Sequence, residues 1–280
     1  MKRFLLTLAA LVAVLPSSLQ AKDGDRNGLS VISYNIRCLS KEDGTNAWEY
    51  RYPATVLMIE DQKADVMGMQ ELTDGQYEYL KIAADRDYKI IGVGRDDGKK
   101  EGERTAIMYN TKTLSLKKWG TFWLSDTPDK PSKGWDAACN RTATWAILKD
   151  KASGKSFFIL NTHIDHEGEE AQKRGVELIM SRIPELNTDN LPVIITGDFN
   201  MEADAQPISA MKASYSNSRE RALNSDDMHT YHGWGKTKKS IDYIWYSGIS
   251  SCMQYETITK PYYERTFISD HYPIKAVFVL

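Results

Sequence analysis

The segment TGDFN (196–200) directly follows the apolar run LPVII (191–195), and SDHYP (269–273) directly precedes the apolar run IKAVFVL (274–280). Apolar runs of this length, rich in β-branched residues, predict buried β-strands. Burying an acid, an amide or a histidine beside such strands costs free energy unless the group has a partner. These two segments therefore predict a functional site at the ends of buried strands.

Further strand ends carry similar polar groups. Asn35 closes the alternating run at 29–36, Glu71 follows the apolar stretch at 65–69, and His163 follows another apolar run. A lone histidine at a strand end is more often a structural residue. Here it is one of several polar strand ends, which favours a function, because loops at strand ends vary while the strands fix their positions.

The first 21 residues have the features of a secretory signal peptide. Lys2 and Arg3 precede an apolar stretch at 4–15, and a small residue, Ala21, follows. The apolar stretch is shorter than the roughly 20 residues of a membrane span. We expect cleavage near Ala21, export to the periplasm or the medium, and no stable membrane insertion. A retained N-terminal anchor is the alternative.

Residues 22–280 are expected to form a single domain, because no linker, low-complexity tract or repeat interrupts them. Loss of Lys2 and Arg3 leaves 34 basic and 38 acidic residues, so the net charge changes from -2 to -4. A protein that binds mainly the phosphate backbone of nucleic acid usually has a basic surface. Strong nucleic-acid binding is therefore not favoured, and we expect a monomer.

The cysteines, Cys38, Cys139 and Cys252, are odd in number and widely spaced. In an exported protein at least one thiol is then unpaired, or all three are buried and free. The spacing favours neither a disulfide framework nor a cysteine zinc site.

Many short strands and few helices are predicted. The strands are 29–36, 66–70, 88–92, 105–109, 114–121, 143–148, 156–161, 193–197, 241–246, 253–259 and 274–280, and the helices are 53–62, 76–84, 169–183 and 207–214. Sparse, unevenly spaced helices argue against a repeating βα barrel. They favour two packed sheets with helices outside. Asp242 lies within one of these strands, where an unpaired buried acid costs several kcal/mol, so we expect it to have a partner such as a histidine.

Six short motifs follow one another along the chain: Asn35, QE (70–71), NTH (161–163), GDFN (197–200), IDY (241–243) and SDH (269–271). Their order and approximate spacing resemble those of the endonuclease/exonuclease/phosphatase superfamily, which has the DNase I-like fold. The resemblance covers nearly the whole mature chain. It implies an α/β (α+β) protein, a four-layer sandwich of two packed mixed β-sheets flanked by helices. The site would lie at one edge, where loops from both sheets meet.

The resemblance also implies roles for the matching side chains. Glu71 would be the principal ligand of a divalent metal ion, helped by Asn35 and Asp270. Asp198 would align or deprotonate the attacking water. Asn200 would hold a phosphate oxygen.

The histidines receive roles in the same way. His271 would contact the scissile phosphate and be oriented by Asp242, and His163 would be its counterpart on the second sheet. Glu103, in GERTAIMY (102–109), stands in the place of the acid that steadies His163.

The sequence leaves two interpretations open for an arginine, for two aromatic segments and for a group of lysines. Arg141 is either a solvated arginine at a strand start or a bidentate ligand of phosphate, as the basic residue of the family suggests. The aromatic segments 122–135 and 229–234 either pack in the core or form the wall of a pocket. The lysines within 236–239 are expected in a solvated loop, although they lie close enough to the site in sequence to attract an anion.

These residue types suit phosphoester hydrolysis, which needs a cation on the phosphate oxygens and a placed water. Carboxylate and amide oxygens suit Mg²⁺ or Mn²⁺. A zinc site built from His163, Asp165, His166 and His271 is less well supported, because it leaves Glu71 without a function.

We therefore expect an exported phosphoesterase, dependent on Mg²⁺ or Mn²⁺, with a small phosphorylated substrate and a slight preference for a phosphodiester. The core motifs do not choose the substrate, since the superfamily includes nucleases, inositol-phosphate phosphatases and sphingomyelinases. A secreted nuclease acting on DNA or RNA is one alternative. A catalytically silent ligand-binding protein on the same scaffold is another, which the retained set of acids, amides and histidines argues against.

Overall fold

The structure is a computed structural model and describes residues 28–84 and 87–280. The predicted signal peptide, residues 1–21, lies outside this range. The described strands are β1 (Leu29–Asn35), β2 (Val66–Leu72), β3 (Tyr88–Ile91), β4 (Arg104–Asn110), β5 (Leu114–Trp123), β6 (Thr142–Asp150), β7 (Ser156–His163), β8 (Val193–Asp198), β9 (Ser216–Asn217), β10 (Asp242–Ser247), β11 (Ser251–Thr257) and β12 (Ile274–Val279). The described helices are α1 (Trp48–Gln62), α2 (Asp74–Ala83), α3 (Glu169–Leu186), α4 (Gln206–Ser214) and α5 (Ser218–Arg221), with a 3₁₀ segment at Lys41–Asn46.

The strands form two six-stranded sheets, ordered β11-β12-β1-β2-β4-β3 and β5-β6-β7-β8-β10-β9. Only the central pairs β1–β2 and β7–β8 are parallel among the described strands, and the other neighbours are antiparallel. The predicted pair of packed mixed sheets flanked by helices is confirmed.

Three apolar layers hold the sheets and helices together. The layer between the sheets includes Val31 and Val66 from one sheet and Phe157 and Ile194 from the other. The outer face of the first sheet packs on α1 and α2, and that of the second packs on α3 and α4. The central strands bury the side chains of both their faces, because each sheet is covered on both sides.

A polar bridge crosses the layer between the sheets close to the site. Gln70 Nε2 donates to Asn161 Oδ1 at 2.7 Å, and Asn161 Nδ2 donates to the carbonyls of Met69 and Ala106 at 2.8 and 2.9 Å. Gly68 leaves room for this bridge, since a Cβ there would lie 2.6 Å from Asn161 Oδ1. The bridge fixes the distance between the two central parallel pairs, whose ends carry the site.

The main difference from the predicted elements concerns α1, which begins at Trp48 rather than at residue 53. Proline is favoured at the first helical position, but Pro53 lies inside this helix. Strand β9, helix α5 and the 3₁₀ segment were not predicted, because each is too short to show a period. Within the described ranges, no helix is both long and apolar enough to cross a bilayer.

Candidate active site

The second sheet brings three of the predicted site residues side by side. In the register of β7, β8 and β10, His163 pairs with Asp198 and Asp198 pairs with Asp242. All three are buried. The neighbouring strand ends therefore place two acids and a histidine in one row, as their separate positions in the sequence suggested.

The first sheet contributes Asn35, the last residue of β1, and Glu71, which an irregularity in β2 turns toward the site. The register of β2 with β4 shifts between Met69 and Leu72, and Glu71 has a φ of 61°. Such a bulge turns one extra side chain toward the end of the sheet. Arg37 and Asn200, which follow β1 and β8, also have positive φ values, 57° and 53°. Left-handed backbone at non-glycine residues is uncommon and concentrates at functional sites.

Asp198 is the centre of the arrangement. Its Oδ2 accepts a hydrogen bond from Asn35 Nδ2 at 2.9 Å and lies 3.6 Å from the Nε2 atoms of both His163 and His271. Its Oδ1 accepts a hydrogen bond from the backbone N–H of Asn200 at 2.9 Å. Burial and the nearby Asp242 carboxylate raise the pKa of Asp198 to about 7. A carboxylate with a pKa near neutrality suits the transfer of a proton from water.

His271 forms a charged pair with Asp242, the partner expected for that acid. Their Nδ1 and Oδ2 atoms are 2.9 Å apart. Burial alone would lower the pKa of His271, but the carboxylates of Asp242 and Asp198 outweigh it and raise the pKa to about 10. At neutral pH the ring is therefore an imidazolium, whose Nε2 faces the cleft and can donate to an anion.

His163 has a different environment. Burial, with the positive charges of Arg141 and Arg95, holds the pKa of His163 well below its ordinary value. Its Nε2 lies 3.0 Å from Asn200 Nδ2, which also donates to the Ile164 carbonyl at 3.0 Å. The side-chain amide of Asn200 thus orients the neutral ring of His163. For Asn200 to hold a phosphate oxygen, its amide would have to release one of these partners.

Glu71 and Asp270 offer oxygen ligands for a divalent cation. Glu71 accepts from Asn35 Nδ2 at 3.0 Å and from the Cys38 amide at 2.9 Å. Burial alone would raise the pKa of Glu71, but these two hydrogen bonds and the charges of His271 and Arg37 leave it lowered. Burial and the Glu71 charge raise the pKa of Asp270. A buried and a half-buried carboxylate with this mutual repulsion fit a hard cation.

Asn35 fits a supporting role in that metal site. Its Nδ2 donates to Glu71 and Asp198, and its Oδ1 accepts from the Arg37 amide at 3.0 Å. A second group of possible ligand atoms, from Asp198, Asp242 and His271, lies within 4.8 Å. We consider it less suited to a metal ion, because His271 is already a cation and its Nδ1 is engaged by Asp242.

Glu103 has a partner that the sequence did not indicate. Its carboxylate forms a two-point ion pair with Arg95, with Nη1 and Nη2 at 2.7 and 3.2 Å. The role of Glu103 in steadying His163 stays a prediction: among the described contacts, Asn200 and Asp198 are the groups that flank the His163 ring. The guanidinium attracts the Glu103 carboxylate more strongly than a neutral imidazole would.

Arg141 is buried rather than solvated, with 5% of its surface exposed. Its Nε donates to Asp165 at 3.1 Å and its Nη2 lies 2.8 Å from His166 Nδ1. Asp165 also accepts hydrogen bonds from the backbone N–H groups of Ala138, Glu167 and Gly168. The contacts of Arg141 with Asp165 and His166 use two of the five N–H donors of the guanidinium, so Nη1 and the second hydrogen of Nη2 could still bind a phosphate. The same contacts argue against the zinc alternative, because Asp165 and His166 are directed at Arg141.

A cavity of about 400 Å³ opens over these groups. Its walls are formed mostly by polar and charged residues, with one tyrosine and one isoleucine: Arg37, Cys38, Glu71, Arg95, Glu103, Cys139, Arg141, His163, His166, Asp198, Asn200, Tyr231, Lys239, Ile241, Asp270 and His271. Segment 122–135 contributes nothing to this lining in the described chain, and Phe122 and Trp123 are buried. Of the two aromatic segments, the second alone reaches the cavity, through Tyr231.

Sequence reasoning missed Arg37 and Arg95 as cavity residues, whereas Lys239 belongs to the lysines that were expected close enough to the site to attract an anion. Arg37 lies two residues after Asn35, and this proximity was the available signal. Arg95 and Lys239 come from loops whose direction a single sequence does not show. All three cysteines are unpaired in the structure, and Cys38 and Cys139 line the cavity.

A family model described as the endonuclease/exonuclease/phosphatase family matches residues 32–271. The chain belongs to this family. Family members are metal-dependent phosphoric ester hydrolases, so a catalytically silent binding protein is not supported. The matched range contains every residue assigned to the site above, and of the described strands only β12 and the first residues of β1 lie outside it.

Two similar proteins with solved structures come from Bacteroides, and one relative comes from a virus. A mannosyl-6-phosphatase of Bacteroides thetaiotaomicron is 36% identical, with 90% of this chain and 100% of that chain covered and a TM-score of 0.85. A family member from Bacteroides vulgatus is 32% identical, with 91% and 100% covered and a TM-score of 0.86. An uncharacterized protein of Acanthamoeba polyphaga mimivirus is 25% identical over 82% of this chain and 92% of its own length.

Proposed function

We propose that this family member is an exported hydrolase that removes phosphate from a small phosphomonoester, such as a phosphorylated sugar, with Mg²⁺ or Mn²⁺. The observation that carries the proposal is the convergence of the Glu71 and Asp270 oxygens, the Asp198 carboxylate and the charged His271 ring on one cavity. A cavity of about 400 Å³ is within the size range of small-molecule sites.

The residues divide the chemistry between them. Glu71 and Asp270, supported by Asn35, would hold the metal ion, which supplies charge to the phosphate oxygens when bound. Asp198 takes a proton from the attacking water, since its pKa of about 7 allows both protonation states near neutral pH. His271 donates from Nε2 to a phosphate oxygen, and Asp242 holds its ring in place.

A monoester is favoured here, although the sequence alone slightly favoured a diester. The 36% identical neighbour is a mannosyl-6-phosphatase. The guanidinium groups of Arg37, Arg95 and Arg141 line the cavity together with Lys239. Because each of the three arginines is paired with a carboxylate, the identity of this neighbour is the observation that favours the monoester.

A panel of phosphoesters tests the proposal. Wild-type protein and a Glu71→Gln control are assayed for phosphate release from sugar 6-phosphates and for cleavage of a bis-aryl phosphodiester, with Mg²⁺, with Mn²⁺ and with chelator. We expect metal-dependent release from the sugar monoesters that the control variant lacks. Faster cleavage of the diester would replace the monoester proposal, and activity that survives the chelator would exclude metal dependence.

Export is a separate part of the proposal and rests on residues 1–21. Expression of the full-length chain in a bacterium, followed by mass spectrometry of the cell-envelope and medium fractions, tests it. We expect a product that lacks Met1 through Ala21. An uncut chain in the cytoplasm would contradict export.

A further inference from the structure

Arg37 is held rigidly at the edge of the site. Its Nε and Nη2 atoms donate to the two carboxylate oxygens of Asp43 at 3.0 and 2.9 Å. Its amide donates to Asn35 Oδ1, and its carbonyl accepts from Gln76 Nε2 at 2.8 Å and from Arg51. The Asp43 side chain is only 5% exposed, so this carboxylate is buried against the guanidinium.

The third nitrogen of the Arg37 guanidinium points at the proposed metal ligands. Its Nη1 atom lies 4.0 Å from Glu71 Oε2 and 3.9 Å from Asp270 Oδ2. These distances are too long for hydrogen bonds but short enough for strong Coulomb attraction. Because Asp43 holds the other two nitrogens, the positive charge of Arg37 stays beside both carboxylates.

We propose that Arg37 is a built-in cation that limits this site to one divalent metal ion. Hydrolases with two metal ions hold them about 3.5–4 Å apart, bridged by shared ligands. A second ion shared by Glu71 and Asp270 would have to displace Nη1 and overcome its repulsion. The inference rests on the proposed metal dependence and adds the stoichiometry of the site and the residue that sets it.

Titration with Mn²⁺ alone tests this, with free Mn²⁺ measured by electron paramagnetic resonance and no substrate present. Four proteins are compared: wild type, Arg37→Met, Arg37→Lys as the variant that keeps the charge, and Arg174→Met as a control at an exposed arginine. We expect one Mn²⁺ per wild-type chain. Arg37→Met should bind the first ion about tenfold more tightly, because a positive charge is removed, and should take up a second ion. Arg174→Met should behave like wild type, and Arg37→Lys should still take up a single ion, because its ammonium keeps a positive charge near Glu71 and Asp270 although it cannot hold Asp43 at two points.

Arg37→Met leaves the buried Asp43 carboxylate without its partner, so the variant is checked for folding by circular dichroism. The double variant Arg37→Gln/Asp43→Asn removes both charges of the pair and gives the same test if the single variant unfolds. Two ions on the wild-type chain would overturn the proposal. So would a single ion of unchanged affinity on the folded variants. If wild type binds no Mn²⁺ at all, the proposed metal-dependent function fails as well.

Discussion

At the scale of single residues, substitutions of Glu71 and Asp198 are predicted to affect turnover and metal binding differently. Glu71→Gln removes the charge that holds the cation, so turnover and Mn²⁺ binding should both be lost while the fold is kept. Asp198→Asn should lower turnover at least 1000-fold but still bind Mn²⁺, because its proposed function concerns the water. Activity assays paired with Mn²⁺ titration and circular dichroism separate the two. Normal activity of folded Glu71→Gln at low metal concentration would contradict the assignment.

The pair of Asp242 and His271 predicts a pH dependence. The raised pKa keeps His271 charged below about pH 10, so its loss of charge should lower the rate on the alkaline side, as the pH rises toward that value. Asp242→Asn removes a carboxylate that raises this pKa, and the alkaline limb of the pH–rate profile should then move to lower pH. His271→Ala should be nearly inactive at every pH. A profile that Asp242→Asn leaves unchanged, with an equally small effect of His271→Ala, would place the pair outside the chemistry.

At the scale of elements, the strands were predictable and the geometry of their ends was not. The run before Asp198 and the run at 29–36 show their β character in their apolar pattern. No local pattern reveals the bulge that turns Glu71 into the site, because it depends on pairing with β4, which is distant in sequence. For the same reason the pairing of Glu103 with Arg95 could not be foreseen, since it requires the path of the loop between them.

One helix residue connects three of the site's segments. Arg51 of α1 is fully buried and donates to the carbonyls of Asn46, Ile36 and Cys38, as well as to Ile268, two residues before Asp270. Its guanidinium also lies 5.1 Å from the Trp48 ring and 6.0 Å from the Trp234 ring. It therefore ties the loop after β1 to the loop before β12.

Substitution of this residue should be costly. Arg51→Met leaves several buried carbonyls without a donor, at about 1–3 kcal/mol each. The free energy of unfolding should fall by about 3–5 kcal/mol in urea denaturation. Arg174→Met, at an exposed arginine of α3, is the control and should change it by less than about 0.5 kcal/mol. If Arg51→Met lowers the free energy of unfolding no more than the control does, the loops hold their positions without Arg51.

At the scale of the whole molecule, the distribution of charge indicates whether the substrate is a small molecule or a nucleic acid. Residues 22–280, the proposed mature chain, are acidic, with a net charge of -4. The positive groups of the cavity are mostly paired with acids, as Arg95 is with Glu103 and Arg141 is with Asp165. A duplex needs several unpaired cations along its backbone, and each phosphate contact makes binding more sensitive to salt.

We therefore predict only weak nicking of plasmid DNA, falling steeply as salt is raised from about 50 to 200 mM. Phosphate release from small esters should change much less over the same range, because the groups that contact a small substrate lie inside the cavity, where salt screens them less. Both activities are measured in parallel on one preparation, with Glu71→Gln as the control for contaminating nucleases. DNA cleavage at physiological salt that exceeds the rate on small esters, and that Glu71→Gln abolishes, would identify a nuclease and overturn the small-substrate proposal.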